Sequence, residues 1–325
     1  MSDTQVTLEG ILAAHKAIRP YVRRTPLDPS HSLALGSDTE VHLKLECFQV
    51  TGSFKPRGAF ARLLALDPEQ RRKGVVASTA GNHGIGLAYA AQRLGIPVDV
   101  YLPYWADRSK VRALEQYNAC LTWFESVEHA RESAKDHAQK TGKTFVSAYN
   151  DTHMIMGGGT IGIEIHEDLP DIDLLVVSVG GGGMAAGAGI ALKALAPNAK
   201  IWAVQAAKSP KMAQWIKQGH TGSVPLAKTI AEGLAVDMEE DTITYPILRD
   251  LIDRFVLLEE NEVSHAVRWL LNEHQLLVEP SGAAAVAALL KERPTGFSRV
   301  AAVLTGRNVS GERYSSLISP YATTG

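Results

Sequence analysis

Short apolar runs rich in β-branched residues alternate along this chain with longer stretches of helical periodicity. Val75-Val76-Ala77-Ser78 predicts a strand, and residues 84–94 predict a helix stopped by Gly95 and followed by Pro97. Residues 98–102 predict the next strand, followed by amphipathic helices over 107–117 and 128–141 and a strand at Phe145-Val146-Ser147. After Tyr149-Asn150-Asp151 the pattern resumes with a helix over 160–168. Residues 174–179 are apolar without alternation, as a central parallel strand buried on both faces should be. A helix over 184–195 and a strand over 201–204 come next, then a strand at 255–258, helices at 260–273 and 281–292, and a strand at 300–304. Repeated strand–helix–strand units predict an α/β fold with open, mainly parallel sheets, which bind ligands at the carboxyl ends of their strands. No internal repeat, low-complexity tract or flexible linker interrupts the pattern, so any two domains are entwined rather than strung together.

Composition narrows the partners. The 325 residues suffice for two core-bearing domains or one large one, and 45% hydrophobic against 21% charged content reads as globular. Lysine and arginine number 33 against 35 acidic residues, a formal charge of -2, and no basic block occurs. Nucleic acid and anionic membrane are therefore not expected as partners. Residues 174–192 are uncharged, but Gly180, Gly181, Gly182 and Gly183 in their middle predict a strand, a turn and a buried helix rather than a membrane span. Cys47 and Cys120 are the two cysteines, so no disulfide framework is expected and a reducing cytoplasm fits. Met1-Ser2-Asp3-Thr4 lacks the basic-then-apolar order of a signal peptide.

Candidate chemistry clusters at four places. In Thr51-Gly52-Ser53-Phe54-Lys55-Pro56-Arg57-Gly58-Ala59 a lysine sits in a turn-like setting beside an aromatic ring. A desolvated lysine loses its charge more easily and becomes a nucleophile toward carbonyls, although a lone lysine is more often a solvated surface amine. Gly180, Gly181, Gly182 and Gly183 join a buried strand to a helix, where outward amides and the helix N-terminus favour a phosphate. The same stretch satisfies the dinucleotide pattern G-x-G-x-x-A, yet the next strand ends in Val204-Gln205-Ala206 without the acid that would hold a ribose. Ser78-Thr79-Ala80-Gly81-Asn82-His83-Gly84 opens a helix and offers amides to a second anion such as a substrate carboxylate. Here Asn82 is suited to an oxygen acceptor, and His83 to a general base, a cap or a packed core residue. In Leu304-Thr305-Gly306-Arg307-Asn308 the Thr305 hydroxyl suits a ring nitrogen. A hydroxyl is no counter-ion for a pyridinium, so the ring would be a moderate electron sink.

Together these parts resemble the fold-type II pyridoxal phosphate enzymes, the serine/threonine dehydratase and serine racemase branch. The likeness runs from Tyr21-Val22-Arg23-Arg24-Thr25-Pro26-Leu27 to Thr305-Gly306-Arg307-Asn308-Val309. It implies an α/β fold of the tryptophan synthase β type, with two open, mainly parallel sheets and helices on both faces. It further implies a large cofactor-binding domain of residues 1–68 and 148–325 and a smaller, mobile domain of residues 69–147 inserted in it. Within that resemblance Lys55 is the Schiff-base residue and catalytic base, Phe54 packs on the cofactor ring, and Gly180, Gly181, Gly182 and Gly183 bind its phosphate. Asn82 contacts the phenolic oxygen, Thr305 faces the pyridine nitrogen, and Ser78, Thr79, Ala80, Gly81, Asn82 and His83 bind the substrate. Arg131 lies in the small-domain segment where serine racemase uses a basic residue, and a solvated helix face is its competing reading.

Departures from the family pattern carry information. Racemases place a serine before G-N-H as the acid/base opposite the lysine, and here Ala80 offers a methyl group, which favours elimination over racemisation. The family's divalent-cation site uses a glutamate where this chain reads Gln205-Ala206-Ala207-Lys208, so no metal site is expected. Gly157-Gly158-Gly159-Thr160 and Arg307 differ from the family's G-Q-G-T and small residue, changes expected to reshape the substrate pocket. The short stretch after the last motif leads us to expect no regulatory C-terminal domain of the biosynthetic threonine deaminase kind. The expected activity is α,β-elimination of a 3-hydroxy amino acid such as threonine or serine to a 2-oxo acid and ammonia, by a cytoplasmic homodimer. The alternatives are β-replacement of the cysteine synthase kind, for which Gly311-Glu312-Arg313-Tyr314 speaks, amino-acid racemisation, and a binding protein without chemistry.

Overall fold

The computed structural model describes residues 5–33, 39–79 and 81–319, so the N-terminal tetrapeptide and Ala80 lie outside the described residues. Its strands in chain order are β1 (Leu27–Pro29), β2 (Glu40–Lys44), β3 (Val75–Ser78), β4 (Val98–Pro103), β5 (Cys120–Phe124), β6 (Thr144–Phe145), β7 (Leu174–Ser178), β8 (Lys200–Ala206), β9 (Arg254–Leu258) and β10 (Arg299–Val303). They form a six-stranded sheet in the order β1-β2-β10-β7-β8-β9 and a four-stranded sheet in the order β5-β4-β3-β6. All neighbours pair in parallel except β1 with β2.

Burial explains why the central strands lack alternation. Along β7, Leu174 and Val176 join one apolar cluster while Leu175 and Val177 join another on the opposite face. Along β10, Val300 and Ala302 divide from Ala301 and Val303 in the same way. With helices over both faces, every position of such a strand must be apolar. The smaller sheet repeats the arrangement, with Val75 and Ala77 on one side of β3 and Val76 on the other. No helix among the described residues is long and apolar enough to cross a membrane.

Among the predicted helices, one begins well before its expected start. It spans Thr152–Asp168 and takes in Gly157, Gly158 and Gly159, whereas propensity starts it at Thr160. Glycine weakens an isolated helix, but here tertiary packing requires it. A Cβ at Gly157 would overlap the Arg57 carbonyl, and one at Gly158 would lie 2.9 Å from Met184 Cα. Gly157 and Gly158 therefore seat this helix against Lys55–Leu64 and Gly183–Leu195, Gly159 makes room for the Ile11 side chain, and none of the three lines the central cavity. Arg307 likewise turns outward, its guanidinium 5.3 Å from the Phe48 ring centroid. The expectation that these positions reshape the substrate pocket is corrected accordingly.

Beneath that helix junction lies a cluster of four buried charges. Arg57 donates to both carboxylate oxygens of Glu46 at 2.8 and 2.9 Å and to both of Glu164 at 2.7 and 2.8 Å. It also donates to Thr160 Oγ1 at 3.1 Å and to the Arg23 carbonyl at 3.3 Å. Lys44 Nζ reaches Glu164 Oε2 and the Thr25 carbonyl, each at 2.7 Å, and the Thr25 hydroxyl donates to Glu46. Burial works against ionisation of Glu164, but the Arg57 and Lys44 charges outweigh it and hold the carboxyl below its ordinary range. Lysine cannot reproduce a planar fork serving two carboxylates. Arg57→Lys should therefore lower the unfolding free energy by about 3–5 kcal/mol, measured by denaturant unfolding; a loss under about 1 kcal/mol would mean that the cluster re-pairs around one ammonium.

Candidate active site

Lys55 is the first residue of the helix Lys55–Leu64, immediately after a bend at Gly52, whose φ of 75° favours glycine. The bend is held by the strand-end segment after β10. Phe54 N–H donates to the Thr305 carbonyl at 3.1 Å, Arg307 N–H donates to the Gly52 carbonyl at 2.8 Å, and Ser53 bridges Gly306. Two segments some 250 residues apart in the chain are thus locked together, which sets Lys55 and Thr305 on one wall. That wall belongs to a cavity of about 1020 Å³ lying between the two sheets.

The lysine is partly buried and has no carboxylate partner among the described residues. Its Nζ donates to the Ala148 carbonyl at 3.2 Å and lies 4.9 Å from the Phe54 ring centroid. Burial lowers its pKa to about 8, so a usable fraction of free amine exists near neutral pH.

The glycine turn follows β7 and starts the helix Gly183–Leu195. Three of its glycines are required by what surrounds them. Side chains at Gly180 and Gly181 would overlap the Gly233 carbonyl and the Tyr149 ring, and Gly182 has φ of 91° with Leu248 Cδ1 only 2.7 Å from a Cβ. Ala186 is the first residue of this helix whose amide finds a carbonyl in the turn, Gly182 O at 2.8 Å. The amides before it are available to an anion in the cavity.

The helix Asn82–Leu94 follows β3, and its N-cap is Gly81. Thr79 Oγ1 accepts the Gly81 amide at 3.1 Å, while the buried Ser78 hydroxyl has no partner and the residue lines the cavity. Asn82 Nδ2 donates to Glu279 Oε1 at 2.6 Å, and Asn82 Oδ1 accepts from Asn308 Nδ2 at 2.7 Å. His83 is buried with Nε2 3.0 Å from the Val146 carbonyl, and burial followed by the Lys55 charge pushes its pKa down to about 3. It is therefore a neutral imidazole donating from Nε2, and Nδ1 is left without a partner. This geometry fits a packed core residue better than a general base. Thr305 is buried with its hydroxyl 3.5 Å from the Ser281 carbonyl, a slack tie that leaves the oxygen open to the cavity.

Every sequence-predicted site residue among the described ones lines this cavity: Phe54, Lys55, Ser78, Thr79, Gly81, Asn82, His83, Gly180, Gly181, Gly182, Gly183 and Thr305. Sequence reasoning missed Glu279, Ser281 and Asn308, which also line it. The first directly precedes Pro280 at the helix start Pro280–Glu292, but its burial and its Asn82 partner are set by the fold. Arg131 stands at the rim and donates to the Asp237 carbonyl at 2.9 Å. Gln205 is turned away, accepting the Ala213 amide at 2.8 Å, and no group of three or more His, Cys, Asp or Glu that could hold a metal occurs among the described residues.

A sheltered amine, a glycine turn with free amides and a loosely tied hydroxyl share one cavity, and these are the groups a pyridoxal phosphate needs: a carbonyl-capturing lysine, an anion site and a partner for the ring nitrogen. The chain belongs to the family of pyridoxal-phosphate dependent enzymes, whose pattern matches residues 18–306. Its relatives include proteins of two named activities. An L-threonine ammonia-lyase of Thermotoga maritima is 38% identical over 94% of this chain and 76% of its own length. A serine racemase of Arabidopsis thaliana is 37% identical over 92% of each chain. The solved structure of maize serine racemase superposes with a TM-score of 0.89 at 32% identity, over 94% of this chain and 95% of the other. The fold is that of the fold-type II enzymes, and the cofactor is pyridoxal phosphate.

Because only the free amine attacks a carbonyl, capture of the cofactor by the apo-protein should accelerate with pH and level off above about 8. The appearance of cofactor absorbance measures it, and an inflection near the ordinary lysine value of about 10.4 would show that Lys55 is hydrated rather than sheltered.

Proposed function

We propose that the protein is a pyridoxal phosphate-dependent dehydratase that eliminates water from a 3-hydroxy amino acid such as threonine or serine, releasing a 2-oxo acid and ammonia. The observation that carries this reading is the unpaired, desolvated Lys55 amine facing the cavity between the glycine turn and Thr305. Lys55 would hold the cofactor through Nζ, with Phe54 against its ring, the amides of Gly180, Gly181, Gly182 and Gly183 at its phosphate, Asn82 at its phenolic oxygen and Thr305 at its ring nitrogen. When bound, the cofactor supplies an electron sink for the charge left at the substrate α-carbon.

The remaining chemistry falls to the chain's own groups. Lys55 takes the α-proton as general base, a role that its lowered pKa suits. The loop of Ser78, Thr79, Ala80, Gly81, Asn82 and His83 holds the substrate carboxylate on the amides that open the helix Asn82–Leu94. Burial leaves the His83 imidazole too weakly basic to act as a second base, and the sequence has alanine at position 80, where racemases of this family place a serine. The same reading takes residues 69–147 as a mobile small domain inserted between 1–68 and 148–325, acting in a cytoplasmic homodimer. Its helices meet the other part at the cavity rim through Lys110 with Glu232 at 3.2 Å, Lys135 with Glu239, and Arg131 with the Asp237 carbonyl.

Racemisation is the second reading, favoured by the serine racemases among the relatives. A panel of 3-hydroxy amino acids assayed for 2-oxo acid and ammonia, without added nucleophile, tests elimination directly. Release from at least one member is expected, and Lys55→Ala should reduce it by about 10²–10⁴-fold or more. Inversion of chirality without ammonia would assign a racemase, and turnover only with an added thiol would assign β-replacement. As a separate expectation, Ala80→Ser should introduce measurable racemisation; unchanged chirality would show that the opposite face lacks more than a hydroxyl.

A further inference from the structure

A chain of side-chain amides runs along the cavity wall. Asn308 Nδ2 donates to the Thr51 carbonyl at 2.8 Å and to Asn82 Oδ1 at 2.7 Å. A main-chain carbonyl only accepts, so the Asn308 atom facing it is the amide nitrogen. The Asn82 atom facing Asn308 must then be its oxygen, and the Asn82 nitrogen points to Glu279, donating to Oε1 at 2.6 Å. An amide nitrogen carries two hydrogens, and Glu279 takes one of them. The second remains for the cavity.

Glu279 is placed for this contact and for no other in its helix. It occupies the N-cap position of Pro280–Glu292, yet its side chain makes no capping bond. Its backbone is fixed on both sides, the N–H donating to the Gly306 carbonyl at 3.1 Å and the carbonyl accepting from Gly282 N–H at 2.8 Å. The carboxyl is buried, and a Cβ at Gly306 would overlap Oε1. Glycine at position 306 is thus the vacancy into which the carboxyl fits. The charged and titratable groups that face it are Lys110, Glu232, Arg313 and Cys47.

We propose that Glu279 is a positioning residue for the bound cofactor: it fixes the twist of the Asn82 amide so that the free N–H points at the cofactor's anionic ring oxygen. Asn308 decides which end of Asn82 faces it, and Glu279 decides where the two hydrogens of the other end go. Burial pushes the Glu279 carboxyl up to about 7, and both its ionised and protonated forms keep an oxygen that accepts from Asn82. The inference rests on the reading that Lys55 holds the cofactor in this cavity.

The test uses full-length protein and pyridoxal phosphate itself, with two readouts: the dissociation constant of the cofactor and its visible absorbance across pH. Glu279→Ala should weaken binding by about tenfold and displace the absorbance profile, since no acceptor then fixes the twist of the Asn82 amide. Glu279→Gln keeps an accepting oxygen and should stay within about threefold of wild type. Gly306→Ala, which pushes the carboxyl aside without altering residue 279, should reproduce the alanine pattern. It also carries the comparison if Glu279→Ala does not fold, as judged by thermal unfolding of the apo-protein. Wild-type binding and absorbance in both Glu279→Ala and Gly306→Ala would overturn the proposal. So would Glu279→Gln as impaired as Glu279→Ala, because charge rather than positioning would then be at issue. Failure of the site reading is distinct from either: wild-type protein would itself take up no cofactor, or Lys55→Ala would take it up with unchanged absorbance.

Discussion

The five N–H groups of Arg57 tie three separate parts of this structure together. They stand two residues past Lys55 and are spent on Glu46, Glu164, Thr160 and the Arg23 carbonyl. Those partners come from the turn after β2, from the helix Thr152–Asp168 and from the segment leading to β1. With Lys44, the cluster balances two cations against two carboxylates. Such a cluster is a poor source of net stability, because desolvation offsets most of the attraction. Its value lies in geometry: a bidentate fork has one satisfactory arrangement, so the helix that begins with Lys55 has one rotation and one height against its neighbours.

Glycines extend that constraint to the far side of the cavity. Gly157, Gly158 and Gly162 on one helix and Gly187 on the next leave backbones in contact where side chains would separate them. The helix Thr152–Asp168 can therefore touch Lys55–Leu64 on one side and Gly183–Leu195 on the other. The lysine and the glycine turn are presented at the starts of these two helices, with the long helix packed against both. Their separation is set by helix diameter and is insensitive to loop conformation. A site built this way is positioned by the core rather than by the segments that line it.

The central strands and the later helices were legible because burial on two faces and helical periodicity both leave a strong pattern. Four of the site's segments were legible because glycine, lysine and asparagine occur where backbone geometry and chemistry coincide. What was not legible has physical reasons. Strand β2 has exposed Glu40 and partly buried His42 on one face and buried Val41 and Leu43 on the other, but only five residues show it. The helix Lys55–Leu64 begins with Pro56 at its second position and carries Gly58, which hide its period. The pairing of Glu46 and Glu164 with one arginine joins residues far apart in sequence, and nothing local to any of them indicates the partner. Glu279 was missed for the same reason, since its meaning depends on Asn82, 197 residues away.

The contrast between two lysines shows how the fold separates structure from chemistry. Lys44 is fully buried, but Glu164 lies 2.7 Å away and the ammonium is matched. Lys55 is sheltered to a similar end and is given only a carbonyl and the face of a ring. Around the cavity several carboxylates are engaged elsewhere, Glu232 with Lys110 and Arg313, Glu239 with Lys135 and Tyr149, and Glu279 with Asn82. Each of these pairings withholds a counter-ion that would keep Lys55 charged. A lysine left without one in a low-dielectric setting moves toward its neutral form, which is the form that attacks a carbonyl and accepts a proton. The reactivity of Lys55 thus depends on the charge arrangement around it: among the described residues Lys44, Lys110, Lys135 and Lys211 each face a carboxylate, and Lys55 has none.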